Sequence, residues 1–236
     1  MRCWLHRQFT FALMQRSLAE RSLVEALATG FLAFSASKAG NVDLSQFDQC
    51  LLIGLVLASL VHLCGRVSGA HLNPLVSFML NRQRFSWRSR VFWRETLLYS
   101  SAQCIGAVIG FRLDPVVNSE TAFVPEAFIP ELIFSFALFS LVLMWSREGR
   151  LCPFSRPLSG VVMGMAIAGM VMMGGLSNCG LYNPAVSLAL ISEGASGVPK
   201  LILAQFVAMA AALIICARQD LQSSNGDEEL SPSNSN

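Results

Sequence analysis

The chain has 236 residues, of which 53% are hydrophobic and only 14% are charged, against about 25% charged in an ordinary soluble domain. Its mean hydropathy of +0.52 argues against a soluble protein that hides its apolar surface in one core, so we expect the bilayer to be its solvent. The net charge of +2 carries no information until the charges are placed along the chain.

Residues 1–17 hold a weak apolar run that is short for a signal-peptide core, and we expect them to form a cytoplasmic arm. Six apolar runs follow, and each approaches the roughly 20 residues needed to cross the hydrocarbon core. They are too long for barrel strands, so helices are favoured. The sequence therefore predicts an all-α membrane protein with six transmembrane helices, which cover roughly residues 22–37, 49–65, 96–111, 128–145, 158–176 and 199–217.

Two further apolar pieces, residues 74–80 and 184–191, are too short to span a bilayer. They follow the pairs Asn73-Pro74 and Asn183-Pro184, and an Asn N-cap before Pro is an ordinary way to start a helix. Irregular backbone at membrane depth is tolerated only where protein or water covers it. We therefore predict two re-entrant half-helices.

Positive charge is distributed unevenly over the predicted loops. All of the 17 Lys and Arg residues except Lys38, Arg112 and Lys200 fall on the side that holds both termini. Because Lys and Arg are in excess in cytoplasmic loops, we expect both termini to be cytoplasmic. The tail, residues 219–236, is rich in Ser, Asn, Asp and Glu with almost nothing to bury, so we expect it to be a disordered cytoplasmic tail.

The two halves of the chain resemble each other. Residues 73–80 and 183–190 are identical at five of eight positions. One half covers about residues 18–112 and the other about residues 124–218. Each has three spans, an odd number, so the second half lies inverted relative to the first, as in many membrane transport proteins. The match extends to Glu25 and Glu131 upstream of the motifs and to Gln103 and Gln205 downstream of them.

These motifs are similar to those of a known family. Residues 68–74, Ser-Gly-Ala-His-Leu-Asn-Pro, match the first signature of the major intrinsic proteins, the aquaporins and glyceroporins, and residues 99–107 resemble their third helix. The resemblance spans about residues 20–217 and implies an aquaporin-like fold, channel function and a homotetramer. Leu75, where Ala is usual, and Val186, where Arg is usual, resemble the unorthodox members of the family.

The two motifs are expected to act at the pore. Each half-helix N-terminus presents free backbone N–H groups and roughly half a positive charge. With both ends at the midplane, cations and hydronium are repelled while the Asn amides donate hydrogen bonds to passing water. The structural alternative is that each Asn only caps its helix, and the cap geometry is compatible with both roles. The expected pore residues are Asn73, Pro74, Leu75, Asn183, Pro184 and Ala185.

Glu25 and Glu131 lie inside apolar runs, where an ionisable side chain is costly and is usually functional or paired. The resemblance implies that each glutamate hydrogen-bonds the re-entrant loop of its own half and that His71 pins the first loop. A proton relay through the glutamates is the alternative. No metal site is predicted, since His71 has no second His or Cys at a ligand spacing.

The resemblance, carried over by spacing from the two Asn residues, also implies a selectivity filter. An extra residue near position 181 would shift two of its members to Met170 and Cys179, and Cys179 is the expected site of a mercurial. Without an Arg and its fork of donors, the constriction is expected to be wider and less polar. Glycerol, urea or hydrogen peroxide could then join water, although an apolar ring can equally dewet and conduct poorly. The expected filter residues are Ile53, Val171, Gly180 and Val186.

The predicted function is a passive channel for water and small neutral solutes. An enzyme is not expected, because the sequence shows no nucleophile–base set, and neither a cofactor nor a nucleic-acid partner is expected. Two alternatives stay open. A proton-coupled transporter would need a titratable residue on the substrate path, and only Glu25 and Glu131 lie at that depth. A non-conducting membrane scaffold gains support from Leu75 and Val186.

Overall fold

The computed structural model describes residues 16–114, 125–146, 158–175 and 180–229, with side chains described as far as residue 218. Within these ranges the chain forms eight α-helices, and a short 3-10 turn, Pro125–Ala127, precedes the fifth. Six helices match the predicted spans and two match the predicted half-helices. They are α1 (Leu18–Asn41), α2 (Gln46–Cys64), α3 (Pro74–Arg84), α4 (Arg90–Arg112), α5 (Phe128–Ser146), α6 (Ser159–Gly175), α7 (Pro184–Ser192) and α8 (Val198–Glu229).

Local sequence determines where the first helices begin. The Ser17 hydroxyl accepts a hydrogen bond from the backbone N–H of Glu20, and the Glu20 carboxylate accepts one from the Ser17 N–H, which makes a capping box for α1. Ser45 and Ser89 cap α2 and α4 with one side-chain bond each. A Ser placed just before an apolar run is thus the common start signal of these three helices.

Hydropathy divides the spanning helices into two groups. Three of the described helices are long and apolar enough to cross a membrane alone, namely Gln46–Cys64, Phe128–Ser146 and Val198–Arg218, and the apolar stretch Ser159–Gly174 is shorter. Helices α1 and α4 are long but less apolar, because charged residues lie along them. Arg21 and Glu25 of α1 are both buried, so protein groups and not lipid surround these charges.

The spanning helices pack in a two-fold pattern. Helix α1 packs on α4 and α5 packs on α8, while α2 and α6 pack on each other and join the two halves. The α1–α4 seam is close, because a Cβ added at Gly106 would overlap the backbone carbonyl of Ala26, and one at Gly110 would overlap that of Gly30. Ala208 takes the place of Gly106 in α8 and is fully buried. Small residues thus allow the close approach that drives helix association in lipid.

Each half-helix packs against helices of both halves of the chain. Helix α3 packs on α4 of its own half and on α5 and α8 of the other half. Helix α7 packs on α8 of its own half and on α4 and α1 of the other half, and α3 and α7 also contact each other. The predicted inverted arrangement of two half-helices inside a six-helix bundle is confirmed.

The end of the chain differs from the expectation. The sequence predicted a disordered tail from residue 219, whereas α8 continues to Glu229, and residues 230–236 lie outside the described part. Once the spanning part of α8 has formed, each added residue gains one backbone hydrogen bond without a new nucleation step. Continuation of the helix into a polar segment is therefore inexpensive.

Candidate functional site

The N-termini of α3 and α7 are joined by two crossed hydrogen bonds. The Asn73 side-chain amide donates from Nδ2 to the carbonyl oxygen of Tyr182 at 2.8 Å, and Asn183 Nδ2 donates to the carbonyl of Leu72 at 2.7 Å. Tyr182 directly precedes Asn183, and Leu72 directly precedes Asn73. Each half-helix is therefore held by the residue that leads into the other one.

The same two side chains cap their own helices. Asn73 Oδ1 accepts from the Leu75 N–H and Asn183 Oδ1 accepts from the Ala185 N–H, both at 3.0 Å. Pro74 and Pro184 occupy the first helical position, where the missing N–H costs nothing. Both carboxamides thus act as cap and as bridge at once. The capping alternative from the sequence and a role at the midplane are compatible in this geometry.

The loops that lead into the half-helices have an unusual backbone. Among the described residues of these loops, three that are not glycine have positive φ, namely Ala70 at 50°, Leu72 at 52° and Tyr182 at 47°. Residues held there cost about 1–3 kcal/mol each, so the surroundings must fix them. Gly180, with φ of 125°, adopts a conformation that suits glycine. The loops need strong anchors.

Glu25 anchors the first loop. It is fully buried, and its two carboxylate oxygens accept the backbone N–H groups of His71 at 2.9 Å and Leu72 at 2.7 Å. Gln103 Nε2 donates to the same carboxylate at 2.8 Å and ties it to α4. A buried charge is tolerated where several hydrogen bonds compensate it, and two of the three donors here are backbone N–H groups of the strained loop.

Glu131 anchors the second loop with one more bond. It accepts the backbone N–H groups of Gly180 at 2.9 Å, Leu181 at 3.2 Å and Tyr182 at 2.6 Å. Gln205 Nε2 donates to it at 2.7 Å from α8, as Gln103 does to Glu25 in the first half. The repeat seen in the sequence is thus a repeat of hydrogen bonds, and the two Gln residues acquire a partner that the sequence did not reveal.

His71 makes the two halves unequal. Its ring Nδ1 lies 3.2 Å from Ser77 Oγ, its ring packs against Tyr99 with the centroids 5.0 Å apart and the planes tilted by 58°, and Gln103 donates to Ser77 Oγ. Leu181 stands at the equivalent place in the second loop and has no ring to offer. In the second half the Ser187 hydroxyl donates instead to the Asn183 carbonyl at 3.0 Å. His71 is thus held within the first loop, where the resemblance places it.

Two of the four expected filter residues, Val171 and Gly180, lie next to each other in the structure. A Cβ built on Gly180 would lie 3.8 Å from Val171 Cγ1, so these two positions are direct neighbours. Ile53 and Val171 are partly buried against the same apolar cluster, which includes Met170. Val186 is 9% exposed and lies in the first turn of α7. Cys179, the alternative filter position and expected mercurial site, lies outside the described residues.

Tyr182 is a site residue that the sequence reasoning missed. It is 2% exposed, its backbone bonds both Glu131 and Asn73, and its hydroxyl donates to the Met170 carbonyl of α6 at 2.9 Å. The hydroxyl also lies 3.8 Å from the place of a Gly180 Cβ. The available signal was the mismatch of Leu72 and Tyr182 at equivalent places of the repeat.

Comparison with known proteins adds a family and a fold. The family model described as major intrinsic protein matches residues 12–214. The structure of the aquaglyceroporin from Plasmodium falciparum superimposes with a TM-score of 0.66, covering 85% of this chain and 95% of that one at 23% identity, which shows the fold.

Curated relatives are channels from plants and bacteria. The probable aquaporin NIP4-2 of Arabidopsis thaliana is 26% identical over 208 residues, which are 80% of this chain and 71% of that protein. Aquaporin NIP2-2 of Zea mays is 27% identical over 184 residues, 73% of this chain and 61% of the relative. The propanediol uptake facilitator PduF of Citrobacter freundii is 34% identical over 107 residues, 42% of this chain and 38% of that protein.

Proposed function

The chain belongs to the major intrinsic protein family, and we propose that it is a passive transmembrane channel for water and small neutral solutes. Members of this family are channels and not enzymes, and the apolar helices make this chain a multi-pass integral membrane protein. The observation that carries the proposal is the crossed pair of Asn73 and Asn183 bonds, which sets two helix N-termini against each other inside the bundle.

Exclusion of ions follows from this arrangement. Two N-termini, each with roughly half a positive charge, raise the potential at one depth for any cation, hydronium included. An amide nitrogen has two hydrogens, so Asn73 and Asn183 can each use one for the crossed bond and offer the other to a water oxygen. A water held as an acceptor at both sides cannot relay a proton along a continuous chain.

The filter determines which neutral solutes pass. Val186 supplies no fixed charge, and Ile53 and Val171 are apolar. The constriction is therefore wider and less polar for a carbon-containing solute than it would be with an Arg at position 186. Relatives named for propanediol uptake and for glycerol support solutes of that size. We therefore propose that glycerol and urea pass together with water.

The buried glutamates argue against proton coupling. The carboxylate oxygens of Glu25 and Glu131 accept backbone N–H groups of the strained loops. Protonating either one would turn an acceptor into a donor that faces donors. We propose that the two glutamates anchor the loops.

We also propose that both termini lie on the arginine-rich cytoplasmic side of the membrane. Four copies of the chain assemble, as the resemblance implies.

The test is solute uptake by proteoliposomes with a substitution at the filter. Val186→Arg should lower glycerol permeability at least about tenfold while water permeability falls less, because a fixed guanidinium narrows the opening and adds donors. Val186→Leu is the matched control, which adds bulk without charge and should change the ratio less. Unchanged glycerol and water permeability in Val186→Arg would show that the filter lies elsewhere, and a wild type no faster than empty vesicles would support the scaffold instead.

A further inference from the structure

The connection between α3 and α4 concentrates positive charge beside two exposed tryptophans. Residues 82–94 contain five arginines and no acidic residue. Trp87 and Trp93 are 51% and 45% exposed, although tryptophan is a large apolar side chain. In a protein that spans a membrane, exposed Trp marks the level of the lipid headgroups. The arginines of this segment, Arg82, Arg84, Arg88, Arg90 and Arg94, are all exposed.

The segment has a fixed conformation. Trp93 packs on the fully buried Phe92 with ring centroids 4.9 Å apart, and Phe92 packs on Phe78 of α3 at 5.3 Å. The Arg88 guanidinium lies over the Trp87 ring at 5.2 Å from its centroid. These contacts connect Trp93 to α3 through Phe92 and place Arg88 against Trp87.

Two of these arginines lie at a helix N-terminus, where positive charge is electrostatically unfavourable. Arg90 and Arg94 occupy the first turns of α4, whose first turn has no acidic residue. A helix N-terminus carries partial positive charge, so cations there are unfavourable unless an anion accompanies them. The nearest acid along the chain, Glu95, forms its salt bridge with Arg21, at 2.8 Å.

The inverted repeat provides an internal comparison. The equivalent connection on the opposite face, between α7 and α8, runs over residues 193–197 and contains Glu193, no arginine and no aromatic residue. Glu193 is paired with Arg112 at 3.1 Å. Because the second half makes the same half-helix-to-span connection without arginines or Trp, these residues are not required by the fold.

We propose that residues 82–94 form a binding site for anionic phospholipid headgroups. Arg88, Arg90 and Arg94 hold the phosphate at the N-terminus of α4, and Trp87 and Trp93 lie against the glycerol and upper acyl region of the same lipid. Clusters of this size beside a spanning helix attract anionic lipid, by a factor of about five for each basic residue near the surface. The site is independent of which solutes cross the pore.

Tryptophan quenching by brominated lipids tests this site. The full chain is reconstituted in phosphatidylcholine that contains either brominated phosphatidylglycerol or brominated phosphatidylcholine. For the wild type we expect quenching by the anionic lipid to exceed that by the zwitterionic lipid at equal mole fraction. The preference should weaken at about 1 M salt, where the screening length is about 3 Å.

Arginine substitutions test whether residues 82–94 cause the lipid preference. The triple substitution R88Q/R90Q/R94Q should lower the preference for anionic lipid at least about fivefold. The control K200Q removes a positive charge in the first turn of α8, on the opposite face, and should leave this preference unchanged. The single variant R90Q carries the same test if the triple variant does not fold. The proposal is overturned if R88Q/R90Q/R94Q keeps the wild-type preference, if K200Q loses as much, or if inorganic phosphate at the same phosphate concentration competes equally well.

Discussion

Glu131 shows how much of this architecture depends on single buried side chains. One carboxylate accepts three consecutive backbone N–H groups and the Gln205 amide, and it is fully buried. Its loop includes Tyr182, which has a positive φ that a bulky residue adopts only under constraint. The position of Asn183, one residue later, therefore depends on a charge placed one helix away.

Replacing that carboxylate tests the dependence. In Glu131→Gln one oxygen becomes an amide donor facing backbone donors, and an unsatisfied buried N–H costs about 1–3 kcal/mol. We expect the thermal midpoint of the detergent-solubilised protein to fall by several degrees. Asp43→Asn removes an exposed carboxylate and should leave the midpoint unchanged. Equal midpoints for Glu131→Gln and the wild type would mean that the loop is held by other contacts.

Tyr182 allows the proposed filter to be perturbed without changing the residues proposed to line it. Tyr182→Phe removes the hydroxyl that donates to the Met170 carbonyl, next to Val171, at a cost of about 1 kcal/mol. With that wall of α6 released, we expect the ratio of glycerol to water permeability to rise. Tyr99→Phe deletes a comparable bond, to the Ser68 carbonyl at 2.7 Å in the first half, and should leave the ratio unchanged. If both variants lose stability alike and neither alters the ratio, Tyr182 is only structural.

At the scale of elements, the α1–α4 seam depends on glycine at the helix contact. Gly106→Ala places a methyl group on the Ala26 carbonyl of the facing helix, and overpacking of this kind costs about 1–3 kcal/mol. We expect a lower thermal midpoint and weaker channel activity. Gly169→Ala in α6 is the matched control, because nothing lies within 4 Å of its added Cβ. An Ala in a helix interior is favoured over Gly, so that variant should equal or exceed the wild-type midpoint.

Helix bounds show what the sequence could predict at this scale. The apolar runs located every described helix, but α1 begins at Leu18 and α4 at Arg90, several residues before the runs predicted from residues 22 and 96. The extra turns contain Arg21 and Glu95, and these charged residues end the apolar runs. Because the two pair with each other, the helices continue through them. Charged residues whose partner is distant in sequence cannot be assigned to a helix from a local pattern.

At the scale of the whole molecule, the repeat and the resemblance predicted the fold and the anchoring glutamates. They did not predict the crossed bonds, because Asn73 and Asn183 each bond a carbonyl of the other half, and only the packed bundle brings these groups together. The role of Tyr182 was missed for the same reason. Local chemistry identified the participants, and tertiary packing determined their partners.

The central claim is that two opposed half-helices make a passive path for water that excludes protons. The most direct test is to record water flux and proton flux in the same proteoliposomes, with stopped-flow light scattering and an internal pH dye. We predict shrinkage faster than in protein-free vesicles, no dependence on a proton gradient, and proton leakage no greater than in protein-free vesicles. Shrinkage equal to that of protein-free vesicles, or a flux that follows the proton gradient, would contradict the account.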